Sequence, residues 1–303
     1  MRWEAVHGAE AAWGLNIGRL CRAAGMSRQN YYRQRRSRSR AAVDEGLVVA
    51  LVRAQRRMQP FLGARKLLFL VGPELRRAGV AMGRDRFFAT LSRHGLLIPR
   101  VRRGARTTES RHGFAVYGNL AKGLRVTGPD QLWVSDITYI RTREGFMYLC
   151  LIMDSFSRKI VGYDCSDSLE MEGALRALGL AVKQLPRGAH PVHHSDRGSQ
   201  YCCGTYVELL TVRGLGISMT EDKHCYENGK AERLNGTLKR EYGLGDNFLL
   251  KQDVRPAVLE AVALYNGSRP HQALGNECPS DVHRKKIPAP RTRAGRGKNS
   301  GIK

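Results

Sequence analysis

Acidic residues are scarce beside basic ones: 27 Asp and Glu stand against 51 Lys and Arg in 303 residues, a formal charge of +24 and a pI near 10.3. Long apolar runs are missing too. The longest, Phe146 to Met153, falls far short of the roughly 20 residues a transmembrane helix needs, so no membrane partner is expected. The N-terminus lacks a charged region followed by an apolar stretch and a cleavage site, which points away from export and toward the cytoplasm. The seven cysteines include no C-x-x-C pair and no zinc-ligand spacing, which removes a zinc ribbon and leaves a reduced chain as the best fit.

What is present is charge of one sign, unevenly placed. Residues 1 to 112 carry 24 basic and 7 acidic side chains, net +17; residues 113 to 283 carry 19 and 20, net −1; residues 284 to 303 carry 8 and none, net +8. A field of that sign selects nucleic acid or an anionic surface as partner. A near-neutral middle between cationic ends suits a protein that grips phosphates at its ends and does chemistry at its centre. A ribosomal-type or simply soluble basic protein would show the same totals, so charge alone does not choose.

The pattern from Leu15 to Arg35 predicts two short helices, with Ala24-Gly25-Met26 as the turn and Ser27 as N-cap of the second. That is helix-turn-helix spacing. The second helix carries Arg28, Gln29, Asn30, Tyr31, Tyr32 and Arg33, side chains suited to base edges and phosphates. A basic stretch from Arg33 to Arg40 reads as an exposed linker or phosphate-contacting arm. Residues 44 to 98 look helical, with breaks at Gly63, Gly72-Pro73 and Gly79, and Gly83 to His94 predicts a second recognition-like helix bearing Arg84, Arg86 and Arg93. The Arg-, Gly- and Thr-rich segment from Arg100 to Gly128 reads as a linker.

Beyond it the period changes from helical to strand-like. Gln131 to Tyr139, Phe146 to Met153 and Lys159 to Asp164 are β-rich runs separated by turns. A helix over 169–184, a strand at His190 to His194, a strand near Leu215 to Met219 and helices over 204–213, 228–242 and 253–266 follow. Three antiparallel strands and then alternating helices and strands is the element order of a ribonuclease-H-like α/β fold, a mixed sheet flanked by helices, here preceded by an all-helical helix-turn-helix region.

Three carboxylates converge in this arrangement. Asp136 lies inside the first strand among Trp133, Val134, Ile137 and Tyr139, where an unpaired carboxylate is costly. Asp196 follows directly on the strand ending at His194, in HSDRGSQY, where Gly198 lets the chain turn closely. Glu232 sits on a predicted helix, with Asn235 and Lys239 on its face at i+3 and i+7. Taken singly each acid has an ordinary reading, a turn residue or a solvated helical Glu. Gathered, three hard oxygen donors suit Mg²⁺, which keeps waters that substrate oxygens can replace. Two such ions about 4 Å apart stabilise both the attacking and the leaving oxygen of a phosphoryl transfer.

The motifs WVSDITYI (133–140), DSFSRKIVGY (154–163), HSDRGSQY (194–201), SMTEDKHCYENGKAERLNGTLKREY (218–242) and YNGSRPHQAL (265–274) resemble the insertion-sequence transposases of the IS-three family, in their open-reading-frame B product, which belong with retroviral integrases in the DDE recombinase superfamily. GRDRFFATLSRHGLL (83–97) is similar to the family's second helical DNA-binding segment. Between Asp196 and Glu232 lie 35 residues, and Lys239 follows Glu232 by seven, as in the family.

The resemblance implies that Asp136, Asp196 and Glu232 are catalytic and bind two Mg²⁺ ions, with Mn²⁺ substituting, and that Lys239 and Asn235 contact DNA. Arg28, Asn30, Arg33, Arg84 and Arg86 are the candidate DNA contacts of the helical region. It also implies terminal inverted repeats and target DNA as partners, a homo-oligomer on paired ends, an overlapping upstream orfA product or a frameshift fusion to it, and a bacterial cytosolic setting. Asp154, Asp164, Asp222 and Glu227 are the competing acids, expected to be structural or peripheral. Gly229 stands at a helix start where the family has Ala. The expected layout is a helical DNA-binding region over 1–100, with helix-turn-helix-like segments at about 15–35 and 63–97, a basic linker over 101–128, a catalytic core over 129–283 and a basic tail over 284–303. A stand-alone ribonuclease-H-type nuclease and a catalytically silent DNA-binding repressor share many of these features.

Overall fold

Alternation of Val, Ile, Leu and Met with smaller or polar residues across 132–166 produces the scaffold of the molecule, described by a computed structural model over residues 2–99, 113–221 and 225–285. The chain divides into two compact units, residues 1–103 and 104–303. Parts of the expected linker (100–112) and tail (286–303), and Asp222, lie outside the described residues.

The second unit is built on a five-stranded sheet of β1 (Leu132–Thr142), β2 (Gly145–Asp154), β3 (Ile160–Ser166), β4 (Val192–Ser195) and β5 (Gly216–Met219), in the order β3-β2-β1-β4-β5. The first three strands pair antiparallel; β4 joins β1 in parallel and β5 joins β4 in parallel. Because successive strand residues face opposite sides, the sheet feeds two cores. One face, with Val134, Leu149, Leu151 and Met153, is covered by Leu234 and Leu238 of the helix Gly229–Glu241 and by Val258 and Tyr265 of the helix Val254–Gly267. The other, with Trp133, Cys150 and Ile152, is covered by Ala174, Ala177 and Leu178 of the helix Met171–Lys183 and by Tyr206 and Leu210 of the helix Gly204–Val212. Gly162 explains one close approach: a Cβ there would lie 2.2 Å from the Ala177 carbonyl oxygen, so only glycine lets that helix settle on β3.

Among the described residues the first unit holds five helices: α1 (Arg2–Trp13), α2 (Ile17–Ala23), α3 (Arg28–Met58), α4 (Ala64–Arg77) and α5 (Arg84–Arg93). The six helices of the second unit are α6 (Met171–Lys183), α7 (Ser199–Cys202), α8 (Gly204–Val212), α9 (Gly229–Glu241), α10 (Val254–Gly267) and α11 (Pro279–Arg284).

The turn before α3 agrees with its sequence signals: Gly25 takes a left-handed φ of +62° and the Ser27 hydroxyl accepts the Asn30 N–H at 3.2 Å. The second helix is not short, however. It runs 31 residues, straight through Arg33 to Arg40, because arginine is a good helix former whose charge says nothing against helicity. The break expected at Gly72-Pro73 is likewise absent. α4 continues through Pro73, held by Leu67, Val71 and Leu75 packed against Val48 and Val52 of α3 and Phe87 and Leu91 of α5. α1 had no expectation attached to it; Trp3 and Val6 pack there on Cys21 and Tyr31.

Residues 117–126, assigned to the linker by composition, lie on the second unit. Tyr117 packs on one core, Ala121 and Val126 on the other, and the Ala121 N–H donates to Ser218 Oγ at 3.2 Å. Among the described residues no helix is long and apolar enough to cross a membrane.

Candidate active site

The parallel register of β1 and β4 sets Val134 beside His194. Two residues further along each chain stand Asp136 and Asp196, on the same edge of the fold, since side chains repeat every second residue. The Asp196 Oδ1 accepts the Gly198 N–H at 3.0 Å, and a Cβ on Gly198 would come within 3.1 Å of that same oxygen. Gly198 therefore makes the turn that presents Asp196, as its place in HSDRGSQY suggested.

α9 brings the third acid. Its start is pinned by Asn228, which is buried and donates from Nδ2 to the Ser135 carbonyl at 2.8 Å, one residue before Asp136. Two turns further on, the Asn235 Nδ2 donates to Asp136 Oδ2 at 2.7 Å. Glu232 lies on the exposed side of α9, near enough for its charge to act on Asp136.

Burial pushes the Asp136 carboxyl up to about 7, and the negative charges of Asp196 and Glu232 add to the rise. Hydrogen bonds from the Ile137 backbone and from Asn235 oppose it without cancelling it. Lys239 is held below its ordinary range by its own burial, although Asp136 pulls it upward. The site is thus an acidic centre with more negative charge than the neighbouring lysine offsets, which a divalent cation would correct.

The competing acids are engaged elsewhere. Asp164 is clamped by Arg176 Nε and Nη2, both at 2.9 Å, and by the Ser166 hydroxyl. Glu227 accepts from Asn119 Nδ2 at 2.9 Å and from the Glu221 N–H at 2.8 Å. Asp130, Asp154 and His283 lie close enough together to suggest a metal cluster, but their donors and acceptors are already matched. Asp154 accepts the Asp130 N–H at 2.9 Å and the Ser157 N–H and hydroxyl at 2.7 and 2.6 Å, and Ser157 Oγ lies 3.0 Å from His283 Nδ1. Burial alone would raise the Asp154 carboxyl; the bonds from His283, Ser157 and Asp130 outweigh it and hold it below the usual range. This network ties α11 to the end of β2.

In the first unit, Arg28 and Arg33 are exposed on the first turns of α3, and Asn30 Oδ1 accepts from Arg33 Nη2 at 3.1 Å and from Gln34 Nε2 at 3.3 Å. Arg84 pairs with Asp85 at 2.8 Å, and Arg86 pairs with Asp44 at 3.3 Å while donating to the Ala81 carbonyl. Tyr31, expected to reach for base edges, is instead fully buried: its hydroxyl donates to Glu10 and its ring stacks on Trp3. Burial and the Glu10 carboxylate push the Tyr31 hydroxyl up to about 12. A helix N-terminal tyrosine set among Gln29, Asn30, Tyr32 and Arg33 carries no mark that separates core from surface. Asn228 was also missed; an Asn before a predicted helix reads simply as a cap.

A 3-2-1 antiparallel meander extended by two parallel strands, with acids at its central strand pair and on the covering helix, defines a polynucleotidyl transferase core of the ribonuclease-H-like class. The integrase core domain family matches residues 126–225, and a second integrase core domain description matches residues 213–279. The chain is 33% identical over 270 residues to the insertion element IS600 31 kDa protein of Shigella sonnei, covering 88% of this chain and 98% of that one. It is 30% identical over 283 residues to the transposase InsF for insertion sequence IS3A of Escherichia coli K12, covering 90% and 96%. Among solved structures, a chain of the simian T-cell lymphotropic virus intasome in complex with PP2A regulatory subunit B56 gamma aligns over 79% of this chain and 77% of that one, at 16% identity and a TM-score of 0.47.

The protein belongs to the IS3 family of insertion-sequence transposases. It is a DDE polynucleotidyl transferase of transposition and DNA recombination, which decides against the stand-alone nuclease class, and its integrase-type core implies use of a divalent metal.

Proposed function

We propose that Asp136, Asp196 and Glu232 are the metal-binding and catalytic residues, and that they serve both cleavage at the element's ends and joining of the freed 3′-hydroxyl to another strand. The observation that carries this reading is the convergence of three carboxylates: Asp136 on β1, bound at 2.7 Å by Asn235 of α9, with Asp196 just past the neighbouring β4 and Glu232 on α9 near enough for their charges to raise it. A group so placed is poorly suited to carry its charge alone and well suited to share it with a cation.

Two Mg²⁺ ions held by these carboxylates would supply stabilisation to both the entering and the departing oxygen of an in-line displacement. The chain's own residues do the rest. Asn235 orients the Asp136 carboxylate through its 2.7 Å bond, the Gly198 N–H orients Asp196, and Asn228 fixes where α9, and with it Glu232, begins. Lys239, next to Asp136 and half-buried, offers its ammonium to the phosphate of the strand being cut. Both steps are phosphoryl transfers, so one site serves for water and for the 3′-hydroxyl.

The helical first unit binds the terminal inverted repeats, Arg28, Asn30 and Arg33 reading them from the start of α3 and Arg84 and Arg86 bracing phosphates from α5. The active form is a homo-oligomer on paired ends, working alone or as a frameshift fusion to an upstream orfA product. Glu232→Gln is the direct test: it should abolish metal-dependent nicking and joining while end binding persists. Nicking that survives this substitution would overturn the assignment. For the first unit, affinity should fall steeply with salt, and a log–log slope near zero would remove its role.

A further inference from the structure

α9 has two flanks, and only one faces the acids. At about 100° per residue, Lys230 and Arg233 project roughly 100–160° around the helix from Glu232, on the side away from Asn235 and Lys239. There they meet Arg158, which sits in the β2–β3 turn with a left-handed φ of +64°. The three cations stand on a ridge between two hollows. One is a groove of about 510 Å³ floored by Leu124, Val126, Leu132 and Val134; the other is a smaller hollow of about 110 Å³ beside Tyr265 and Thr237. Among the described residues none of the three cations forms an ion pair. Lys230 donates to the Ser155 hydroxyl. Burial lowers both Arg158 and Lys230, and mutual repulsion adds to it, from Arg233 on the former and from Arg158 on the latter.

A second observation points the same way. His194 is buried, lines the larger groove, and has no partner for its Nε2. The Ser218 hydroxyl oxygen accepts the Ala121 N–H at 3.2 Å and lies 2.9 Å from His194 Nδ1. The Ser218 contact holds the imidazole in the groove wall, with its Nε2 buried and unpartnered. Burial lowers the His194 imidazole, which favours its neutral form. Among the described residues the one acid on the rim, Glu227, is occupied by Asn119 and the Glu221 N–H.

We propose that Arg158, Lys230 and Arg233, with His194 in the groove wall beside them, form a second DNA-strand site that holds the phosphodiester backbone on the flank of α9 opposite the catalytic acids. Unpaired, mutually repelling cations above an apolar floor gain from a phosphate what a water-filled groove does not give them. The proposal rests on the transposase reading of the chain, since a strand-transfer enzyme must hold more DNA than the single phosphodiester it cuts.

The test uses the full chain, a labelled duplex from the end of the element that encodes it, and a scrambled duplex of the same length, without divalent metal so that nothing is cut. K230Q/R233Q changes two exposed side chains and should weaken binding equally on both duplexes, because phosphate contacts carry no sequence information. The slope of log affinity against log salt should shrink by about 1.8, the value for two lost phosphate contacts. K230R/R233K should restore it. An unchanged slope in K230Q/R233Q, or an equal loss in K230R/R233K, overturns the proposal. The E232Q nicking assay reports separately: surviving cleavage there removes the catalytic reading and leaves the salt slope as the measure of this groove.

Discussion

The two units use charge in opposite ways. In the helical unit, cations outnumber acids and its few acids are spent on pairing: Glu10 takes Tyr31 and Arg35, Glu45 takes Arg93, and Asp44 takes Arg86. Some arginines without such partners stay on the exposed surface, as Arg28 does. Over residues 113–283 the balance is nearly even, and several acids meet bases, as Asp164 meets Arg176 and Glu241 meets Arg269. Three others are concentrated at β1, the end of β4 and α9, and three bases are set apart on the other side of α9. Around α9 unlike charges are thus held apart, whereas neutrality of the helical unit is never approached. Net charge therefore locates DNA affinity, while separation of charge locates chemistry.

The comparison is broken most sharply by removing one of the gathered acids. Asp136→Asn should lower metal-dependent nicking by at least about 10²- to 10³-fold, in line with the loss of a main electrostatic element of a transition-state site, and should leave end binding in place; gel-based nicking and binding assays on one preparation read both. Next, Tyr31→Ala should cost the helical unit about 3–5 kcal/mol by emptying its small core. End binding should then fail in a thermal series while melting of the sheet unit is unchanged, as followed by hydrogen exchange.

A third effect is pH-linked. Asp136 is raised to about 7 in the folded chain and titrates near 3.9 when unfolded. Between these values the folded state keeps a proton that the unfolded state has released. The stabilisation is complete below about pH 4 and is lost as pH rises through about 7. The metal-free melting temperature should fall across that window, and Asp136→Asn should flatten the fall; a wild-type profile identical to the Asn variant's would remove the effect. The smallest change expected is from Gly229→Ala. A methyl at the first position of α9 meets nothing within 4 Å, and the substitution should stabilise the chain by about 0.4–1 kcal/mol, readable as a small shift in denaturant midpoint.

The sheet was legible in the sequence because a two-residue period of β-branched and large apolar residues suits a half-buried strand and little else. Its edges were read to within about three residues at β1, β2 and β3. α3 was not legible as one helix, since eight residues dense in Arg and Ser carry no apolar period, and the period is what marks a helix; its continuity comes from Tyr31 at one end and Val48 and Val52 at the other. The arm around Ala121 escaped for the opposite reason. It packs without regular structure, and irregular packing leaves no repeat to detect. The three acids became legible only together, through spacing and resemblance, and the support from Asn228 stayed invisible because a buried asparagine and a capping one look alike in sequence. Lys230 and Arg233 carried no signal in the sequence, and only the fold shows that neither meets an acid among the described residues.

The long α3 has a mechanical consequence. Tyr31 anchors one small core and Val48 another, 17 positions apart on a single helix, so the two cores are set about 26 Å apart along its axis. The helix works as a gauge block, converting a count of residues into a fixed distance and a fixed angle. One residue inserted near Arg40 would turn the second core by about 100° relative to the first, and one deleted would turn it as far the other way. The spacing of the two small cores is then machined into the length of α3, and would be retuned by its length rather than by its surface.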